Sequence, residues 1–588
     1  MSISKKTAKS SGKMRSDAGA AWGFLSPWII GFLIFSAFPL AFSFYLSLTK
    51  WNLMGDPQFV GLQNYKDMLS SNGELGQTLL ATAIFTVINV SVSILFSLLL
   101  AILLNFKVRF RGLFQFFYYV PTIMPSVVMA GCLVLMFNPQ LGIINYVLKS
   151  MGVQNPPNWS GSQTFVWVLV AVASVFTFQT GQQMLVFSAA LKDVPQELYE
   201  AAALDGAGAW KRFVNVTIPG IAPMMLFNVV SCTVNSFNSA FSLLYPLTGG
   251  GPGNATKVIG LLIYEGIQEL QYGSGFGSCG DSVHHRRRDQ RSAVQAYGSS
   301  VKGDTKMELH TPKYVKVLQY VVMIIMALFM FFPIYWIFVN SLKTITGISA
   351  WPPEFFPKDP QWGNYVKVLE NPNTILYLRN TLILVVLNTV GTLLTSSIVA
   401  YPLARMNFKG RGVVFAIILA TMMVPSAALV IPQYLLFRNF GMLDSFWPLI
   451  LPSFFAQPYN VFLFRQFFVS IPDSIDEAAM LDGCSRWQAF WKVIVPLGKP
   501  IFITVGIMSV SFWWNELFSP LVYINSEDLK PLTLGVLTSF VETSAGASKT
   551  MWNLQMAFSM LMIIPPALLY ICCSKYITEG IKTSGMKD

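Results

Sequence analysis

Long apolar runs separated by short polar loops set the outline of this chain. They fall at about 22–48, 78–105, 113–137, 164–190 and 218–246, and again at about 316–342, 379–404, 412–437, 446–469, 499–524 and 554–575. An α-helix needs ~20 apolar residues to cross a ~30 Å hydrocarbon core, and these runs have that length. A transmembrane barrel would show ten-residue alternation instead. The pattern predicts an all-α polytopic membrane protein built of two related helical bundles of about six spans each. Composition agrees: of 588 residues 53% are hydrophobic and 12% charged, where a soluble domain carries about 25% charged residues.

The formal charge of +12 raises nucleic acid as a partner, but the placement of the charges excludes it. Lys5, Lys6, Lys9, Lys13 and Arg15 precede the first run. Lys107, Arg109 and Arg111 share one short loop, and Arg405, Lys409 and Arg411 share its counterpart. Lys575, Lys582 and Lys587 follow the last run. Basic residues in short loops mark the cytoplasmic side of a bilayer. The expectation is a multi-pass protein of a bacterial cell membrane with a cytoplasmic N-terminus. The first apolar run is too long for a cleavable signal. The cysteines lie mostly in apolar runs without zinc-like spacing, and His284, His285 and His310 cluster centrally, so no metal site and no catalytic group is expected.

A polar stretch occurs twice, 277 positions apart. Glu200–Pro223 reads EAAALDGAGAWKRFVNVTIPGIAP, and Glu477–Pro500 reads EAAMLDGCSRWQAFWKVIVPLGKP; they align without a gap and share eleven identities. Pro195 and Pro472 sit where a first helical turn favours proline. QELYEAAAL and IDEAAML are then good helix formers, and Gly206 and Gly483 suit the left-handed residue that ends a helix. Each copy predicts a short amphipathic helix. Ala201-Ala202 and Ala478-Ala479 permit close approach by another surface, and Glu200 and Glu477 offer acceptors to a basic partner. Asp205 and Asp482 are expected to cap the following turn, and Trp210 and Trp487 to anchor at the lipid interface. A pair of connecting turns left by duplication is the plainer alternative.

Sidedness exposes an inconsistency. With the N-terminus inside, both repeated loops fall inside only if the first half has a sixth span. The place for it, near 276–296, holds the basic string HHRRRDQR. With one choice of codons, reading His284–Arg291 one base later gives Ile-Ile-Val-Val-Ala-Ile-Ser-Ala. A local frameshift across about 279–297 would therefore restore the span; a real basic linker is the alternative. The expected organisation is a basic cytoplasmic tail (1–20), a first membrane domain (21–278), a basic linker holding the sixth span that a frameshift would restore (279–314) and a second membrane domain (315–588).

Glu-Ala-Ala, three residues, Gly and a hydrophobic stretch ending in Pro resembles the cytoplasmic loop of bacterial ABC importer permeases. FLSPWIIGFLIFSAFPLAFSFYLSLTKWN, FVGLQNYKDML, LTGGGPGNAT, FFPIYWIFVNSLK, IPDSIDEAAMLDG and FWWNELFSPLV are similar to the carbohydrate-uptake group of that family, which includes sugar and glycerol-3-phosphate permeases. The resemblance covers both halves and reads as a fusion of two permease subunits that are usually separate. It implies that Glu200, Ala201, Ala202, Asp205 and Gly206, with Glu477, Ala478, Ala479, Asp482 and Gly483, dock on a cytoplasmic ABC ATPase dimer, which would bind the ATP and magnesium. An extracellular solute-binding protein would be the other partner. The chain has no G-x-x-x-x-G-K-[ST] phosphate loop, so it is not expected to be an enzyme or to bind a cofactor itself.

Polar residues inside spans usually face the bundle interior. Gln179, Asn235, Asn238, Trp514, Asn515 and Glu516 are the candidates to line a solute path, since aromatic faces and amide or carboxylate groups suit a sugar. Hydrogen bonding between helices is the alternative for each. A twelve-span secondary transporter would require coupling carboxylates in the membrane, for which Glu516 is the one candidate; it gives no reason for the doubled loop. A non-functional fusion of two permease genes is a third reading.

Overall fold

The fold is taken from a computed structural model, which describes residues 11–51, 57–70, 74–106, 109–272, 313–422, 424–544 and 547–584. The segment that carries the suspected frameshift and the expected sixth span lies outside the described residues, as do the three histidines.

Helices dominate. In chain order those used below are α1 (Ala18–Ser47), α2 (Gln63–Ser70), α3 (Glu74–Asn105), α4 (Arg111–Ile123), α5 (Ser126–Met136), α6 (Phe165–Val175), α7 (Phe178–Asp193), α8 (Gln196–Leu204), α9 (Ala209–Thr248) and α10 (Ile259–Tyr272). They continue as α11 (Lys313–Ser341), α12 (Gly363–Glu370), α13 (Pro372–Arg405), α14 (Arg411–Thr421), α15 (Ala427–Asn439), α16 (Pro458–Ser470), α17 (Asp473–Leu481), α18 (Arg486–Leu497), α19 (Lys499–Asn515), α20 (Phe518–Tyr523) and α21 (Trp552–Ser584). Two short antiparallel ribbons pair Thr49–Lys50 with Gln58–Phe59 and Val541–Ser544 with Ala547–Thr550.

Among the described residues six helices are long and apolar enough to cross a membrane, or up to nine spans if each bent pair counts as one. The bent pairs are α4–α5 at 93°, α6–α7 at 51° and α18–α19 at 78°. Two apolar runs of the sequence, 412–437 and 446–469, are broken into shorter helices rather than one span each. Proline accounts for several breaks, because it lacks an amide donor and clashes with the preceding turn. Pro125 stands at the α4–α5 bend and Pro425 between α14 and α15, while Pro458 opens α16. The α6–α7 break has another cause. The Ser174 carbonyl accepts from the hydroxyls of Thr177 and Thr180 at 3.0 and 2.9 Å, so side chains replace the helical ladder there.

The chain forms two compact units, and each draws on both halves of the sequence. One holds Met1–Tyr45, Leu376–Pro531 and Cys573–Ser584; the other holds Leu46–Ile375 and Leu532–Cys572. In the first unit, Phe24, Leu25 and Trp28 of α1 are buried among Tyr401, Phe464, Phe468 and Phe490. Phe24 lies 5.3 Å from Tyr401 and 5.9 Å from Phe490, centroid to centroid. Gly31 makes the approach possible, since a Cβ there would meet Phe455 Cβ at 2.2 Å. In the second unit, α11 packs on α4: Tyr118 donates to Met323 O at 3.0 Å, and Phe117 meets Phe331 edge-on at 5.0 Å. Aromatic edges and faces at this range add to the burial of apolar area.

A second internal repeat appears only in three dimensions. Asn64 at the start of α2 donates to the Ser47 and Thr49 carbonyls at 3.0 and 2.8 Å, and Tyr65 donates to Ser47 Oγ at 2.7 Å. Asn364 at the start of α12 donates to the Ser341 and Lys343 carbonyls at 2.8 and 2.9 Å, and the Tyr365 hydroxyl meets Ser341 Oγ at 2.7 Å. Each latch satisfies carbonyls left open where a long helix ends.

Candidate functional site

The two repeated loops open and close with the same backbone geometry. Pro195 and Pro472 precede α8 and α17 with ψ of 131° and 137°. At the other end Gly206 N donates to Ala203 O at 3.1 Å and Ala207 N to Ala202 O at 2.9 Å; Gly483 N donates to Met480 O at 3.1 Å and Cys484 N to Ala479 O at 3.0 Å. This paired closure needs a residue at positive φ, and Gly206 (φ 74°) and Gly483 (φ 82°) supply it. Even the next turn is repeated: π-helical turns occupy Phe213–Thr217 and Phe490–Ile494. The copies diverge at Gly498, where α18 and α19 break. Ile221 holds that position in the first copy, and α9 runs on unbroken although Pro223 matches Pro500.

Asp205 and Asp482 do not cap the turn that follows. They are themselves the C-caps of α8 and α17. The following helix is capped in the second copy by Ser485, which forms a capping box with Gln488, and begins in the first copy at Gly208 with no side-chain cap. The reason is spacing: two residues of chain beyond each glycine separate the aspartate from the new helix start.

The loops present both apolar and acidic side chains outward. Leu204 is 90% exposed and Leu481 88% exposed, at equivalent places just before the turn. Ala201 and Ala478 are exposed, Ala202 is half-buried and Ala479 buried. Glu477 is exposed; Glu200 is half-buried and accepts from Gln196 Nε2 at 3.2 Å. Exposed Trp210 packs on Phe213 at 5.7 Å, and Trp487 on Phe24 at 5.2 Å. Sequence reasoning missed the exposure of the two leucines, although a leucine held beside the Asp-Gly stop in both copies is a visible signal.

The six candidate path residues fall into different settings. Gln179 is buried and tied on several sides: its Oε1 accepts from Asn89 Nδ2 and Cys232 Sγ, both at 3.4 Å, and its Nε2 donates to Ser239 Oγ at 3.4 Å. Asn89 also donates to Ser236 Oγ at 2.7 Å. These bonds join α3, α7 and α9, which is the interhelical role. Asn235 and Asn238 are exposed on α9 beside this network, and Asn235 donates to Ser231 one turn earlier. In the other unit, Trp514 is buried, Asn515 Nδ2 donates to Ser511 O at 2.8 Å, and Glu516 Oε1 accepts from Ser519 N and Oγ at 2.9 and 2.8 Å. Glu516, the C-cap residue of α19, thereby accepts from the first turn of the short helix α20. Among the described residues no group of three His, Cys, Asp or Glu side chains is arranged to hold a metal ion.

Comparison with known proteins agrees with the doubling. The family model described as the inner membrane component of binding-protein-dependent transport systems matches residues 93–282 and again 392–581. The chain belongs to this family and carries its unit twice, as a permease component of an inner-membrane transport system. Similar curated proteins each match about half of it. A sulfoquinovosyl glycerol transport system permease of Agrobacterium fabrum is 32% identical over 44% of this chain and 88% of its own length. A diacetylchitobiose uptake system permease of Streptomyces coelicolor is 33% identical over 44% and 91%. An sn-glycerol-3-phosphate transport system permease of Yersinia enterocolitica is 28% identical over 45% and 95%. Among solved structures, a bacterial ABC transporter involved in import of the acidic polysaccharide alginate matches 46% of this chain and 99% of its own, at 27% identity and a TM-score of 0.42.

Proposed function

We propose that this chain is the membrane-spanning part of an ATP-driven importer for a sugar or a related polyol or oligosaccharide. Both permease halves stand in one polypeptide. The observation that carries the reading is the doubled loop: α8 and α17 share one backbone geometry and hold Leu204 and Leu481 outward. Two identical presentations call for two copies of one partner, and a dimeric cytoplasmic ATPase is such a partner. ATP and magnesium belong to that partner. A binding protein delivers solute on the outer side, and the N-terminus is cytoplasmic, as the basic loops require.

The carbohydrate class rests on the relatives' named cargoes and on the amide-rich exposed side of α9. Asn235 and Asn238 are the stronger lining candidates there, since both are exposed on α9 whereas Gln179 is buried between helices. The decisive experiment reconstitutes the chain with its ATPase and binding protein and measures ATP hydrolysis against a panel of sugars and polyols. One or a few related carbohydrates should stimulate hydrolysis and accumulate inside. Stimulation by non-carbohydrate solutes alone would overturn the substrate class.

A further inference from the structure

Arg405 is the last residue of α13, and its side chain is 1% exposed. Its guanidinium is committed to the entry of the second repeated loop. Nε donates to Asp476 Oδ2 at 2.5 Å, Nη1 to Ile471 O at 2.6 Å and to Asp473 Oδ1 at 2.8 Å, and Nη2 to Pro472 O at 2.9 Å. Asp473 and Asp476 are in the first turn of α17. A planar fork shared between carboxylates and carbonyls fixes orientation as well as distance, so α17 and the end of α13 are pinned to each other.

The first copy is held differently. The last turn of α3 carries no basic residue, and Gln196 and Tyr199 stand where the second copy has Asp473 and Asp476. Here the Tyr199 hydroxyl meets Thr217 Oγ1 at 3.0 Å, which ties α8 forward to the π-turn of α9. Among the described residues, α17 is thus fastened back to a long core helix by a buried charge, while α8 is tied to another element by the neutral Tyr199–Thr217 pair.

We propose that Arg405 is a positioning residue for energy coupling: it carries displacement of α17 directly into α13, whereas α8 acts through the start of α9. The two loops then serve as unequal levers on their bundles. This rests on the reading that the loops dock on a cytoplasmic ATPase.

The test uses the full chain in complex with its ATPase and binding protein, reading solute moved per ATP hydrolysed and ATPase retention on purification. Arg405→Lys keeps the charge without the fork, and Asp473→Asn removes an exposed arm of the clamp with little risk to folding. The expected result is retained ATPase, continuing hydrolysis and a transport-to-hydrolysis ratio lowered by about tenfold in Arg405→Lys, within the range of energetic coupling between sites; Asp473→Asn lowers it in the same direction. Tyr199→Phe leaves the ratio nearer to that of the unaltered chain. Unchanged ratios in both clamp variants would overturn the proposal. Loss of the ATPase in both would also overturn it, because Arg405 would then only shape the docking surface. Glu477→Lys serves as the control for docking: if it keeps full ATPase retention and transport, the docking reading fails, and the failure is distinguishable from that of the clamp.

Discussion

Asn64 and Asn364 make the same pair of bonds 300 positions apart. Each donates from Nδ2 to two carbonyls at the end of the preceding long helix, and each is followed by a tyrosine that reaches a serine of that helix end. Replacing Asn364, which is buried, by Ala leaves carbonyls without partners. This should cost about 1–3 kcal/mol, seen as a lower melting midpoint in detergent. Asn64→Ala should act in the same direction, and no shift in either would contradict the latch.

Gly206 and Gly483 close their helices at positive φ, with no heavy atom within 4 Å of an added Cβ. The cost of alanine there is conformational rather than steric, roughly 1–2 kcal/mol. Since the strain falls on the loop and not on the bundle, Gly206→Ala and Gly483→Ala should weaken ATPase retention while leaving the thermal midpoint of the bundle nearly unchanged. Equal retention would show that the turn geometry does not matter to docking.

Gly31 is a different kind of glycine. Its φ is ordinary, but a Cβ would run into Phe455. Gly31→Leu should destabilise by about 1–3 kcal/mol through overpacking, and a midpoint equal to that of the unaltered chain would argue against the packing of α1 in its unit. This placement was not legible in the sequence. Phe24, Leu25 and Trp28 announce an apolar face but not which aromatics will cover it. Other features were legible to different degrees. The six long helices followed from run length, although the runs at 412–437 and 446–469 break into shorter helices, and the repeat followed from a gap-free alignment. The break at Thr177 did not, because hydroxyls that replace ladder bonds look like any other span residues. Gln179 was grouped with path residues for the same reason: its letter does not say whether its amide is already bonded across helices. Arg405 was counted only as a charge marking sidedness, since the carbonyls of Ile471 and Pro472 that define its role are invisible until the chain folds.

Lys343, just beyond α11, is buried against the Trp336 ring at 4.8 Å and donates to Asn340 Oδ1 at 3.1 Å. Burial pushes its ammonium down from 10.5 to about 8, opposed only in part by Glu354. Between those two values the unfolded chain binds more protons than the folded one, so stability rises with pH across that window. Below about pH 8 the penalty of the buried charge is present in full. The melting midpoint should therefore climb from about pH 8 towards 10.5 more steeply in the unaltered chain than in Lys343→Met. Parallel curves would contradict the assignment.

The central claim is that both repeated loops engage one kind of ATPase. ATP-driven uptake by Glu200→Lys, Glu477→Lys and the double variant tests it most directly, with the amount of chain in the membrane measured alongside. Each single change should reduce uptake, and the double change should abolish it while the chain remains in the membrane. Uptake by the double variant equal to that of the unaltered chain would contradict the account.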